Sequence, residues 1–252
     1  MLGAIVGDIV GSIYEGKTIR TKDFELFTSK SRFTDDTVLT LAIAETILND
    51  SDYNQSLKQY FHRYPKAGYG GRFIMWVLAD KVEPYNSFGN GSAMRVSPIA
   101  YAFDDLETVL QEAERSAAVT HNHPEGIKGA QAIAAAIFMA RKNHNKSEIK
   151  SLIEQKFAYN LSLDLNSVEP AGISCQSSVP QAIIAFLAST DFEDSIRNAV
   201  FIGGDSDTLA CMAGSIAEAF YGGVPEAIAQ PALLKLDDSL RSVTTEFMSK
   251  YP

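Results

Sequence analysis

The sequence predicts an all-α fold, arranged as one domain spanning residues 1–252. Apolar residues recur at three- and four-residue spacing in several long segments, which is the period of an amphipathic helix. Alanine, the strongest helix former, dominates most of these segments, and the alternating pattern of a β-strand is scarce. The clearest helical segments are TVLTLAIAETIL (37–48), GIKGAQAIAAAIFMAR (126–141), VPQAIIAFLAS (179–189) and TLACMAGSIAEAFYG (208–222).

The N-terminal segment LGAIVGDIVG carries glycines on one helical stripe, at Gly3, Gly7 and Gly11. Each interior glycine costs a helix about 1 kcal/mol relative to alanine, so the stripe predicts close approach of another backbone. Asp8 and Glu15 are seven residues apart and share a different face. That spacing hints that both acids point inward.

The best strand candidate is AVFIGG (199–204). The same residues fit equally well the end of a helix that closes on glycine. Both interpretations are open from the sequence. No βαβ pattern accompanies the segment, so neither alters the predicted fold class.

The composition argues against two classes of binding partner, nucleic acids and membranes. The net charge is −9 and the 22 lysines and arginines are scattered, so neither a sequence-specific nucleic-acid surface nor an anionic membrane surface is expected. No apolar run reaches membrane-spanning length. The two cysteines, Cys175 and Cys211, form no disulfide framework, which predicts a reducing, cytoplasmic setting. An anionic substrate would need backbone N–H groups or metal ions to attract it.

Two acidic clusters open predicted helices. SRFTDDTVLT places Thr34 before Asp35 and Asp36, and GGDSDTLA places Asp205 and Asp207 before Thr208. A single acid in a first turn is explained by the positive end of the helix, with threonine as N-cap. The same explanation accounts less well for two clusters that each contain two acids. Small residues in both helices would allow their N-termini to converge, and the gathered carboxylates would then require cations.

The ligand set of these clusters is all oxygen, which suits Mg²⁺ or Mn²⁺ rather than zinc. Four acids and two threonines exceed what one Mg²⁺ takes from protein, so two ions are expected. An EF-hand fails because Ala210 stands where the loop needs glycine and Ile216 where it needs glutamate. A phosphoaspartate hydrolase, suggested by FIGGDSDTL, remains an alternative but would require acids at the ends of parallel strands.

Two glycine-rich loops could hold an anion on backbone N–H groups. One is GYGG (68–71) and the other is SFGNGSAMR (87–95), in which Phe88 could stack on a base or pack in the core. THNHPEG (120–126) holds His121 and His123, which fit a substrate contact as well as a polar turn before Pro124.

Taken together, these motifs resemble the ADP-ribosylglycohydrolases nearly from end to end. GAIVGDIVGSIYEG, FTDDTVLT, GYGG, SFGNGSAMR, THNHPEG and GGDSDTLACMAGSIAEAFYG occur in the order typical of that family. The paired T-D-D-T and G-G-D-x-D-T elements are the specific part of the resemblance. It implies a compact orthogonal helical domain with two Mg²⁺ or Mn²⁺ ions in a cleft.

The resemblance also implies roles for individual residues. Glu15 and Asp36 would be the catalytic acids. The implied metal ligands are Thr34, Asp35, Asp36, Asp205, Asp207 and Thr208. The implied substrate contacts are Gly70, Gly71, Phe88, Gly89, Asn90, Gly91, Ser92 and His123.

The implied reaction is hydrolysis of the C1″ bond between ADP-ribose and an acceptor. The acceptor could be a protein side chain, O-acetyl-ADP-ribose or a similar group, and the sequence does not discriminate among them. A different class also fits, namely an inactive family member that binds ADP-ribose or serves a structural role. All six implied ligands are present, which favours the enzyme.

Overall fold

The computed structural model describes all 252 residues, and its regular secondary structure is helical, as predicted. It has no β-sheet, and its only strand-like pairings are three isolated bridges. The helices are α1 (Leu2–Gly11), α2 (Asp35–Asn49), α3 (Tyr53–Arg63), α4 (Gly71–Leu78), α5 (Gly91–Met94), α6 (Ser97–Ala102), α7 (Leu106–Ala118), α8 (Pro124–Arg141), α9 (Lys146–Phe157), α10 (Cys175–Leu187), α11 (Phe192–Ile202), α12 (Ser206–Tyr221), α13 (Glu226–Leu233) and α14 (Asp238–Lys250), with a short 3-10 helix at Leu165–Ser167.

The segment AVFIGG is the end of a helix, not a strand. Helix α11 runs to Ile202 and stops at Gly203, whose φ is +81°. Gly204 follows at φ +84°. Glycine adopts this left-handed conformation without steric cost, so the pair reverses the chain directly into α12.

Helices α1 and α12 lie in close backbone contact, as the glycine stripe predicts. A Cβ built on Gly7 would overlap the carbonyl group of Ala210, and one on Gly3 would overlap the carbonyl oxygen of Gly214. A Cβ on Gly11 would lie 2.5 Å from the Cα of Asp207. The stripe therefore joins the first helix to the start of α12, where the second acidic cluster lies.

The core surrounds this helix pair. It comprises 72 buried apolar residues and includes six alanines of the central helix α8, which let neighbouring helices approach closely. The Glu218 carboxylate on α12 accepts hydrogen bonds from the backbone N–H groups of Leu2 and Gly3 and so caps α1. No helix combines the length and apolar character required to cross a bilayer.

Candidate metal centre and cleft

The two acidic clusters meet at the N-termini of α2 and α12. The hydroxyl of Thr208 donates to Asp36 Oδ2 at 3.3 Å across 172 positions of sequence. Carboxylate oxygens form two overlapping groups, each within 4.8 Å: Asp8 with Asp36 and Asp207, and Glu15 with Asp205 and Asp207. Asp207 belongs to both groups. The predicted convergence of the clusters is therefore present, with Asp8 and Glu15 added from the N-terminal segment.

Asp8 holds the start of α2 in place. Its Oδ1 accepts from the Thr34 hydroxyl at 2.7 Å, and its Oδ2 accepts from the backbone N–H groups of Thr34 and Thr37 and from the Thr37 hydroxyl. Burial raises the pKa of Asp8, whereas these hydrogen bonds lower it. Four donors use the acceptor capacity of this carboxylate, so Asp8 orients α2 and has little capacity left for a metal ion.

Asp36 differs from Asp8 because one of its carboxylate oxygens receives no hydrogen bond. Its side chain is buried, and its Oδ1 has no hydrogen-bond partner in the protein. Burial, followed by the charge of Asp207, raises its pKa well above the usual value. A buried carboxylate oxygen without a donor is costly, and a cation is the partner that removes the cost.

The pKa values of the neighbouring acids are raised for the same reasons. Burial, followed by repulsion from Asp8, raises the pKa of Asp35 to about 8. Burial, followed by repulsion from Asp205, raises the pKa of Asp207 to about 9. An all-oxygen donor set with this excess of negative charge fits hard divalent cations such as Mg²⁺ or Mn²⁺.

A cleft of about 310 Å³ opens over the acids. Among the predicted residues, Glu15, Asp35, Asp36, Gly70, Gly71, Gly89, Asn90, Gly91, Asp205, Asp207 and Thr208 line it. Gly70 and Gly71 begin α4, and a Cβ on either would meet open space. Asn90 reaches the acidic clusters directly, since its Nδ2 donates to Asp205 Oδ2 at 2.6 Å. The glycine loops and the acids therefore share one cavity.

Four predicted site residues do not line the cleft. Thr34 is buried as the N-cap of α2, accepting from the Asp36 N–H while it donates to Asp8. The Ser92 hydroxyl is turned away to the Gly126 carbonyl, 2.7 Å distant, because α5 packs on α8 there. Phe88 is 47% exposed and lies against the His123 ring, with centroids 5.4 Å apart.

The histidine that lines the cleft is His121, not His123. His123 is the N-cap of α8, and its Nδ1 accepts from the Glu125 N–H. Both histidines lie in the loop between α7 and α8, and the direction of that loop decides which ring faces inward. His121 packs beneath Gly91, where a built Cβ would lie 3.2 Å from Nε2.

Other lining residues carried no distinctive sequence signal. Arg72, Tyr85 and Arg95 contribute to the cleft wall. Arg95 is completely buried and adds a positive charge. Its position as the last residue of the SFGNGSAMR loop was the available signal. Asp8 was visible only through the face it shares with Glu15.

Comparison with known proteins identifies the group to which this architecture belongs. The family model described as ADP-ribosylglycohydrolase matches residues 1–250. The chain belongs to the ADP-ribosylglycohydrolase family. A solved structure, an ADP-ribosylglycohydrolase-related protein complex, matches with a TM-score of 0.72 at 24% identity, covering 98% of this chain and 95% of the other, which supports the fold.

Relatives within the ADP-ribosylglycohydrolases align over most of their length. ADP-ribosylhydrolase ARH3 of Homo sapiens is 28% identical over 312 positions, which cover 90% of this chain and 86% of the relative. ADP-ribosylarginine hydrolase Tri1 of Pseudomonas putida (strain GB-1) is 25% identical over 268 positions, which cover 89% of this chain and 71% of the relative. Since 312 positions exceed the 252 residues present here, ARH3 carries insertions that this chain lacks.

Proposed function

We propose that this protein is a metal-dependent hydrolase that cleaves the C1″ bond between ADP-ribose and an acceptor. The observation that carries the proposal is the convergence of Glu15, Asp36, Asp205 and Asp207 in one cleft, where Asp207 belongs to both carboxylate groups. The names of the relatives, which include ADP-ribosylhydrolase and ADP-ribosylarginine hydrolase, agree with this reaction.

The proposed metal site is centred on Asp36, whose Oδ1 has no hydrogen-bond partner in the protein. Asp36 and Asp207 would hold two divalent cations together with Asp35, Asp205 and Thr208. Thr34 would contribute from its N-cap position. A bound Mg²⁺ or Mn²⁺ would supply the concentrated positive charge with which such ions assist hydrolysis.

The glycine loops would bind the anionic part of the substrate. Gly70 and Gly71 start the eight-residue helix α4, whose first N–H groups lack intrahelical acceptors. Gly89, Asn90 and Gly91 supply a second stretch of backbone at the cleft wall. Phe88, partly exposed at the surface nearby, would stack on the base. Backbone dipoles and Arg72 thus offset the overall negative charge of the protein.

Glu15 is the better placed of the two proposed catalytic acids. Its side chain lines the cleft and is exposed, so it can exchange a proton with solvent. Asp36 is buried and accepts from Thr208, which suits a ligand. We therefore assign Glu15 the role of general acid or base and Asp36 that of ligand.

The test is hydrolysis of a panel of ADP-ribosylated substrates with Mg²⁺, with Mn²⁺ and after chelation by EDTA. The panel would contain ADP-ribosyl-arginine, ADP-ribosyl-serine, O-acetyl-ADP-ribose and poly(ADP-ribose). We expect turnover of at least one substrate with metal and none after chelation. Absence of turnover across the panel, with ADP-ribose binding intact, would favour the inactive binding protein instead.

The acceptor is expected to be small or exposed. The chain lacks insertions present in ARH3, and loops of that kind are a usual means of selecting a protein substrate. The phosphohydrolase alternative requires acids at the ends of parallel strands, and this fold has no sheet.

A further inference from the structure

A buried chain of hydrogen bonds leads from Arg95 to the cleft. The Arg95 Nη2 donates to the Thr120 hydroxyl at 2.9 Å and to the Ser116 carbonyl at 3.1 Å. Thr120 Oγ1 in turn lies 2.7 Å from His121 Nδ1. Arg95 and Thr120 have no exposed surface, and His121 lines the cleft.

The direction of these bonds follows from the donors present. A guanidinium can only donate, so Thr120 Oγ1 accepts from Arg95. The threonine hydroxyl has one hydrogen of its own, and Nδ1 of His121 is the acceptor within hydrogen-bond distance. When the hydroxyl donates this hydrogen to Nδ1, Nδ1 is the unprotonated nitrogen of the ring. The ring proton is then on Nε2.

We propose that Arg95 and Thr120 are positioning residues that hold His121 as the neutral tautomer with its proton on Nε2, presenting an N–H donor to a ligand in the cleft. Nε2 has no hydrogen-bond partner within the protein, and Gly89 and Gly91 pack beside it. If the proposed function holds, the acceptor is an oxygen of the ADP-ribose moiety.

The charge state of the ring agrees with this assignment. Burial, followed by the charges of Arg95 and Arg72, lowers the pKa of His121 well below its usual value. Burial lowers the pKa of Arg95 only to about 10, so the guanidinium remains charged at neutral pH. The positive charge therefore belongs to Arg95, and His121 is a neutral donor.

The Tyr85 side chain is the competitor for the Thr120 hydrogen. Its ring lies 6.0 Å from the His121 ring, and its hydroxyl is close enough to Thr120 to interact. If the Thr120 hydrogen were directed to Tyr85, Nδ1 could donate to Thr120 and the opposite tautomer would form. An imidazole nitrogen is the stronger base, which favours the arrangement proposed here.

The first experiment reads the tautomer directly in the Mg²⁺-loaded protein. Nitrogen NMR of ¹⁵N-histidine-labelled protein distinguishes a protonated from an unprotonated ring nitrogen, and a His121→Gln sample assigns the signals against His62, His123 and His144. We expect the proton on Nε2. A proton on Nδ1 would overturn the proposal.

The second experiment uses Thr120→Val, which preserves shape and removes the hydroxyl. We expect the Nε2–H tautomer to lose its predominance and the Kd for ADP-ribose, measured by calorimetry with Mg²⁺, to rise about tenfold. Thr120→Ser restores the hydroxyl and should restore both. Ser116→Ala is the matched control, because the hydroxyl of this buried serine bonds only within its own helix, to the Ala113 carbonyl.

An unchanged tautomer in Thr120→Val would overturn the positioning role, as would loss of the Nε2–H form in Tyr85→Phe. The tautomer is measured without substrate, so failure of the proposed hydrolase activity leaves this test intact. Conversely, turnover in the substrate panel does not depend on which tautomer is found.

Discussion

At the scale of single residues, the adjacent carboxylates of Asp35 and Asp36 have different surroundings. Asp35 is half-buried beside Gly68, where a built Cβ would lie 3.4 Å from Asp35 Oδ1. Asp36 is buried and faces Thr208 on α12. Because successive residues of a helix point in different directions, one pair of acids can serve both the cleft and the helix interface.

The unpartnered oxygen of Asp36 leads to a direct prediction. Asp36→Asn removes the charge of a proposed metal ligand while it preserves shape, so we expect kcat/KM with Mg²⁺ to fall at least about 100-fold. Asp207→Asn should behave alike. Urea unfolding in EDTA should show no loss of stability in either variant, since each relieves repulsion among buried acids. Retained activity in both variants would refute the assigned site.

Asn90 links the glycine loop to the acids through its bond to Asp205. Removing a side chain that orients a metal ligand typically weakens metal binding by about 10- to 100-fold. We therefore expect Asn90→Ala to raise the Kd for Mn²⁺ within that range, as measured by calorimetry. An unchanged Kd, with weakened ADP-ribose binding, would instead make Asn90 a substrate contact alone.

The residue scale is also where sequence reasoning had least information. His121 and His123 are two positions apart in a loop, and nothing local indicates which ring faces inward. Ser92 and Thr34 carry hydroxyls suited to binding, but neighbouring backbone groups and Asp8 engage them. Such details depend on tertiary packing, which a local pattern does not encode.

At the scale of elements, the close contact of α1 with α12 is the decisive feature. It was predictable because three glycines on one stripe of a helix are costly without a packing partner. The helical segments were likewise predictable from their period and alanine content. The identity of the partner helix was not, since several segments have equally small residues.

The contact predicts a large effect of a single methyl group. In Gly7→Ala the added Cβ would overlap the Ala210 carbonyl, and neither backbone can yield easily. We expect a loss of about 3 kcal/mol or more in the free energy of unfolding, at the upper end for overpacking. Urea denaturation measures it.

Gly70→Ala is the matched control for this substitution. Its Cβ would meet nothing within 4 Å, and its φ of −60° is accessible to alanine. We expect its free energy of unfolding to remain within about 0.5 kcal/mol of the parent. Equal effects at the two positions would contradict the packing argument.

At the scale of the whole molecule, we expect the buried negative charge to make the stability of the fold depend on cations. A ligand that binds only the folded state stabilises it by mass action, by about 2.7 kcal/mol at a concentration 100 times its Kd. We expect Mg²⁺ or Mn²⁺ to raise the Tm of the EDTA-treated protein in a calorimetric scan. Asp207→Asn should abolish the increase, since Asp207 belongs to both carboxylate groups. An equal increase in that variant would point to ions bound elsewhere.

The close contact between α1 and α12 also determines how much of the chain is needed to form the candidate centre. Its acids come from both halves of the chain, and the contact between α12 and the N-terminal helix places Asp207 beside Gly11. A nascent polypeptide that ends before residue 200 lacks Asp205 and Asp207 and therefore contains only part of the candidate centre. Any hydrolytic activity would therefore require the contact between α1 and α12 to be complete.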